Sequence, residues 1–206
     1  GETPKLAPAS FAARTSAGVI RVPAPTTPPG TCAMARITSS AASVRNVTSS
    51  AGNPPATNVC GTLARAGYVA VSVDYRLGDG AWPTLLFDCK NAVRFLRAQA
   101  ARYRIDPARI AVGGGSAGGH LALMVALTAG QPGLEPEGAA TPYAGVSSAV
   151  RCGVNLYGIT NILTRRQVAA DGTPGEIRPP EGANLRVYSA RDAADPVFRL
   201  ASPVNH

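Results

Sequence analysis

The stretch Ile110-Ala-Val-Gly113-Gly114-Gly115-Ser116-Ala117-Gly118-Gly119-His120-Leu-Ala-Leu-Met constrains this chain more than any other. Its apolar start reads as a strand and its apolar end as a helix, and the glycines between them permit a turn too tight for larger side chains. Two chemistries use such a turn. Gly113-x-Gly115-x-x-Gly118 satisfies the dinucleotide fingerprint, in which glycines let a pyrophosphate approach a helix N-terminus. Gly114-x-Ser116-x-Gly118 satisfies the nucleophile elbow, in which small neighbours allow a strained turn that holds a serine hydroxyl above the sheet. The dinucleotide parse wants the motif in the first strand-helix unit and an acidic residue about 20 positions on. Here a strand and a helix already precede the turn, and the next acids, Glu135 and Glu137, lie in a proline-bearing loop. A phosphate loop of the Gly-Lys-Ser or Gly-Lys-Thr kind does not occur. The elbow is the better parse, with a dinucleotide-binding domain and a purely structural turn as the alternatives.

The surrounding text predicts an α/β fold, a mostly parallel sheet with helices on both faces. Val59, Leu63 and Ala66 fall on one helical face, and Gly67 stands where a helix stops. Tyr68 to Val73 (YVAVSV) is an apolar, β-branched run suited to a strand buried on both faces. Leu85 to Tyr103 returns to helical period, with Leu86, Val93, Phe95 and Leu96 as core positions. Ile105-Asp-Pro-Ala-Arg109 breaks that helix and leads to a short strand from Ile110 to Val112. A helix over 119–129 and a buried strand over 150–156 follow. Strand, helix, strand, helix, strand is the alternation that builds a parallel sheet. Near the N-terminus, Ala17 to Val22 is predicted as an edge strand. Residues 22–57 are rich in Pro, Thr, Ser, Ala and Asn without period, and are expected to be irregular within a single, partial domain spanning 1–206.

Composition narrows the function classes. No apolar run reaches the roughly 18 to 20 residues of a membrane span, so a soluble chain is expected. It opens on Gly1 with no charged-then-apolar leader, and its compartment is not legible there. The formal net charge of +8 comes from scattered arginines. The densest group, Arg94, Arg97, Arg102, Arg104 and Arg109, reads as the wet face and exit of an amphipathic helix, so no nucleic-acid partner is expected. The four cysteines, Cys32, Cys60, Cys89 and Cys152, lack a CxxC spacing and have two histidines for company, which gives a zinc site no support. Cys60 and Cys89 flank the strand at 68–74. A disulfide between them, with Cα atoms within about 7 Å, would point to a secreted or periplasmic protein, and two free buried thiols are the alternative.

Several separated segments resemble one family. Tyr68-Val-Ala-Val-Ser-Val-Asp74-Tyr75-Arg76-Leu77, Trp82-Pro83, Asp88, Ala92-Val-Arg-Phe-Leu, Ile105-Asp-Pro-Ala-Arg-Ile and Gly115-Ser116-Ala117-Gly118-Gly119-His120-Leu-Ala are similar to the hormone-sensitive-lipase and feruloyl-esterase-like branch of the α/β-hydrolases. Val154-Asn-Leu-Tyr157-Gly158 and Ala201-Ser-Pro-Val-Asn-His206 are also similar to it. The resemblance implies a carboxylic ester hydrolase acting on small esters through an acyl-serine, without metal or cofactor. It implies Ser116 as nucleophile, the Ala117 backbone N–H as one oxyanion donor, and Gly114, Gly115 and Gly118 as the elbow glycines. His120 matches a position that is not the family's base. Asp74, Tyr75, Arg76 and Asp88 match positions expected to be structural. The family's His-Gly-Gly loop has no counterpart in 22–57, and its acid and base are expected beyond Asn205-His206. Asp192, Asp195 and His206 are late candidates that fit structural positions better. An inert or merely binding remnant of such a hydrolase is therefore the non-enzyme alternative.

Overall fold

The computed structural model describes residues 18–23, 35–37, 45–46, 54–137, 143–169 and 171–206. In chain order these form β1 (Gly18–Pro23), β2 (Ala35–Ile37), β3 (Arg45–Asn46), α1 (Pro54–Arg65), β4 (Tyr68–Val73), α2 (Thr84–Ala98), α3 (Ala100–Tyr103), β5 (Ala111–Gly115), α4 (Ala117–Leu127) and β6 (Cys152–Leu156). A two-stranded sheet, β7 (Arg166–Val168) with β8 (Pro174–Ile177), precedes α5 (Ala183–Val187), α6 (Val197–Leu200) and a closing 3-10 turn, Pro203–Asn205.

The main sheet has the order β3-β2-β4-β1-β5-β6. Strands β2 and β4 pair in parallel, as do β5 and β6, while β1 runs antiparallel to both β4 and β5. Four strands therefore share one direction, and the fold is α/β as expected. The position of β1 corrects the edge-strand expectation. The crossover from β4 through α2 to β5 skips one place in the sheet, and the two bare strand edges facing that gap need backbone partners. Gly18–Pro23 supplies them from the middle of the sheet. Nothing in a short apolar run distinguishes an edge from a central slot. Of residues 22–57, the end of β1, two short strands and the first turn of α1 are described, and the rest lies outside the described residues.

Alternation along β4 sets the two faces. Val71 and Val73, 1% and 2% exposed, join the large core with Leu86, Val93, Phe95 and Leu96 of α2 and Leu121, Met124 and Val125 of α4. Ala70 points the other way and packs with Cys60 and Leu63 of α1. Helices thus cover both faces, as period-2 side chains on a doubly buried strand require. Strand β6 departs from expectation. Gly153 approaches Ala122 and Ala126 of α4, but Cys152, Val154 and Leu156 alternate onto the opposite face and are exposed, Leu156 at 54%. The strand ends the sheet order, and among the described residues only its face toward α4 is covered, where a buried strand was expected over 150–156.

The same geometry rules out the Cys60–Cys89 disulfide. Cys89 is a free thiol in the core beneath α2, and Cys60 belongs to the separate cluster beneath α1, so the sheet stands between them. Desolvation pushes the Cys89 thiol well above its ordinary value, so it is inert as a nucleophile. The secretion argument that depended on that bond falls with it. No helix among the described residues is long and apolar enough to cross a membrane.

Arg94 corrects the reading of the arginine cluster. It is 8% exposed, with its guanidinium on Glu135 Oε2 at 2.6 Å and Pro136 O at 3.1 Å. Fully buried Lys90 donates to Thr128 O at 2.7 Å and to Glu135 Oε1 at 2.9 Å, and Ser148 Oγ and the Gly130 N–H donate to the same carboxylate. Arg97 donates to the carbonyls of Ser147 and Ala149. These cations fasten the long 128–150 connection to α2, and Lys90 satisfies a carbonyl at the negative C-terminal end of α4. Arg102, Arg104 and Arg109 remain exposed as read.

Candidate active site

Strand β5 delivers the chain to Gly115, and α4 starts at Ala117. Ser116 between them adopts φ 51°, ψ −122°, a region costly for any residue with a Cβ, by about 1–3 kcal/mol. Two backbone bonds hold it there: its N–H donates to Leu156 O of β6, and its carbonyl accepts from the His120 N–H, each at 3.0 Å. The turn therefore sits at the carboxyl end of two parallel strands, and Ser116 and Ala117 are exposed. The Ala117 N–H opens the helix, where the first amides lack intrahelical acceptors and carry the positive end of the helix dipole.

The glycines are there for close approach. A Cβ on Gly114 would lie 2.5 Å from the carbonyl carbon and oxygen of Gly118, so strand and helix can meet at this distance only without a side chain. A Cβ on Gly119 would strike Asn155 Oδ1 and come within 2.9 Å of Gly114 O. A Cβ on Gly115 would meet the Tyr157 hydroxyl at 2.6 Å. The room around the turn is thus already taken by β6 and the bend after it.

Of the remaining candidates, His120 faces away from Ser116. It is buried, its Nε2–H donates to Ala201 O at 2.7 Å, and Trp82 stands 6.5 Å from its ring. Trp82 in turn meets Tyr188 at 5.3 Å, and Tyr188 meets Phe198 edge-on at 5.4 Å. Three segments that carry the family resemblance, at Trp82, His120 and Ala201, converge here to dock the C-terminal helices on the elbow helix. Burial lowers the His120 pKa below its ordinary 6.5, against a smaller opposing effect of the bond to Ala201. The neutral ring is favoured in the folded state. Stability from this group is therefore present above about pH 6.5 and is lost as pH falls below it, with a slope limited to about 1.4 kcal/mol per pH unit. Thermal melts between pH 7 and 5 should show the decline, and His120→Gln should flatten it.

Arg76 and Asp88 form the structural pair expected of them. Buried Asp88 accepts from Arg76 Nε at 2.9 Å, Nη2 at 2.7 Å and its backbone N–H at 2.9 Å, closing the loop after β4 onto α2. Asp192 accepts from the Ala194 N–H, Asp195 accepts from the N–H groups of Arg191 and Val197, and the His206 ring bonds to Leu200 O. All three are engaged in local turns. Among the described residues, no histidine or carboxylate side chain is hydrogen-bonded to Ser116.

Known proteins bear on this geometry. The BD-FAE family model matches residues 41–206. The chain is 31% identical over 153 residues to the probable carboxylic ester hydrolase LipM of Mycobacterium tuberculosis (strain ATCC 25618 / H37Rv), which covers 70% of this chain and 31% of that protein. It is 38% identical over 151 residues to the esterase LipC of the same organism, covering 71% and 34%. A solved truncated form of a carbohydrate esterase from gut microbiota superposes with a TM-score of 0.54 at 27% identity, over 68% of this chain and 51% of that one. The chain spans about a third of the length of the curated relatives it matches.

Proposed function

The chain belongs to the BD-FAE family of α/β-hydrolases, and on that premise we propose that it is a carboxylic ester hydrolase in which Ser116 carries the acyl group. The observation that carries this reading is the exposed Ser116, held at φ 51° on the turn from β5 to α4. In the proposed reaction Ser116 Oγ attacks the ester carbonyl carbon, its proton passes to a base, and the alcohol leaves with a proton. Water then attacks the acyl-serine and regenerates the hydroxyl. The negative oxygen that forms in each half lies toward the free Ala117 N–H at the helix N-terminus. The substrate is a small ester. Gly114, Gly115 and Gly118 serve the turn and not a cofactor, and family membership argues against the dinucleotide alternative.

One observation favours the impaired alternative. A serine hydroxyl is a weak nucleophile until a base takes its proton, and both histidines are bonded to backbone carbonyls away from Ser116. Oxyanion stabilisation and binding alone can still leave about 10³–10⁴ over water. We therefore expect at most slow turnover of activated short-chain aryl esters by this chain, unchanged in His206→Ala because that ring sits on Leu200 O. Release of nitrophenol from 4-nitrophenyl acetate measures it. Saturable binding of a nicotinamide dinucleotide without ester turnover would instead favour the dinucleotide alternative.

A further inference from the structure

Tyr157 stands in an arrangement that the elbow alone does not explain. It has φ 49°, a left-handed backbone that is an outlier for a bulky side chain. The core does not compensate, for the residue is 82% exposed. A built turn holds it in place. Asn155 Oδ1 accepts the Gly158 N–H at 2.7 Å, and Asn155 Nδ2 donates to Gly158 O at 3.2 Å. Gly158 is pressed against the elbow helix, where a Cβ would collide with the His120 N–H and lie 2.6 Å from the Gly119 carbonyl carbon. Leu156, the preceding residue, accepts the Ser116 N–H. The result is that the phenol lies across Gly115, with its hydroxyl and Cζ 2.6 and 2.9 Å from where a Cβ there would be.

A strained, exposed aromatic ring beside the residue that precedes Ser116 has a surface available for a ligand, and aromatic rings gain most from covering apolar groups. We infer that Tyr157 is a substrate-contacting residue of the Ser116 site, its ring forming an open wall against which the apolar part of a small ester packs. The inference rests on Ser116 marking the site. It does not require Ser116 to react. The hydroxyl abuts backbone, so the ring face makes the contact, and the left-handed turn exists to present it.

The test uses the full chain with Ser116→Ala, so that no covalent step intervenes, and 4-phenyl-2-butanone, a ketone isostere of benzyl acetate, as probe. Its dissociation constant is read by saturation-transfer NMR. Tyr157→Ala should weaken binding about fivefold, the loss expected for uncovering part of a ring, and Tyr157→Phe should bind within about twofold of the parent. Tyr157→Gly, which adopts the left-handed turn without strain, should keep the melting temperature within about 2 °C or raise it, whereas a ring that merely supports the fold would lower it. Equal binding by Tyr157→Ala and its parent, no saturable binding to the parent, or a clear fall in melting temperature for Tyr157→Gly would overturn the inference. Failure of Ser116 to react with an electrophile, with probe binding intact, would instead remove the nucleophile and leave the wall.

Discussion

Glu135→Ala is expected to lower the stability of this chain by about 3–5 kcal/mol, because it leaves Lys90 charged, fully buried and facing little but the Thr128 carbonyl. For a chain of this size that is a fall of roughly 6–20 °C in melting temperature. Burial alone would raise the Glu135 pKa, but the bonds from Ser148, Lys90 and the Gly130 N–H outweigh it and hold the carboxyl below its ordinary 4.5. Its contribution is therefore complete above about pH 4.5 and is lost as pH falls below that value. At Lys90 the balance is reversed, and burial wins over the carboxylate and lowers the pKa. Lys90→Met should consequently cost about half as much or less, since it removes the buried charge while Arg94, Ser148 and Gly130 still satisfy Glu135. Thermal melts of the two variants side by side check this. Equal losses would mean that the cluster does not act as an ionic clasp on the end of α4.

What the sequence revealed depended on how local the physics was. The β4 run, the core face of α2 and the β5-Ser116-α4 turn were legible because period, β-branching and glycine spacing act within a few residues. Leu86, Val93, Phe95 and Leu96, the core positions that the helical period predicts, are buried accordingly. The side of the sheet on which a cysteine lies is not local. Cys60 and Cys89 flank one strand in the chain, yet α1 and α2 cover opposite faces. Arg94 was read as solvated because arginine usually is, and only the return of Glu135 from 41 residues away buries it. The hairpin of β7 and β8 went unread although Asp171-Gly172 is a turn signal, with Gly172 at φ 85° and Asp171 accepting from the Thr173 N–H. Strand β8 is exposed along its whole length, so no buried face imposes an apolar alternation on it. In the sequence Tyr157 is marked only by the resemblance of the segment Val154-Asn-Leu-Tyr157-Gly158. Its approach to Gly115 depends on register between β5 and β6, which pairs Gly115 with Leu156.

The second large effect concerns Ser116. The elbow geometry places one hydroxyl in the open at the end of β5, ahead of a helix N-terminus that can stabilise a negative oxygen, and no other serine in the glycine-rich turn competes. Ser116→Ala should abolish turnover through the proposed acyl-serine, leaving no more than the residual that oxyanion stabilisation and binding alone supply. The fold should survive, because alanine keeps the Cβ and the backbone bonds to Leu156 and His120 do not involve the hydroxyl. A melting temperature within about 3 °C of the parent would show that loss of activity is chemical and not structural.

The most direct measurement is intact-protein mass spectrometry after incubation with an alkyl fluorophosphonate, followed by peptide mapping. Attack by Ser116 Oγ on phosphorus forms the O–P bond, expels fluoride and releases the hydroxyl proton. The expected result is a single phosphonyl adduct that maps to Ser116 and is absent from Ser116→Ala. An adduct on another residue, an adduct that persists in Ser116→Ala, or a parent chain left unmodified by excess probe would contradict the assignment of Ser116 as the nucleophile.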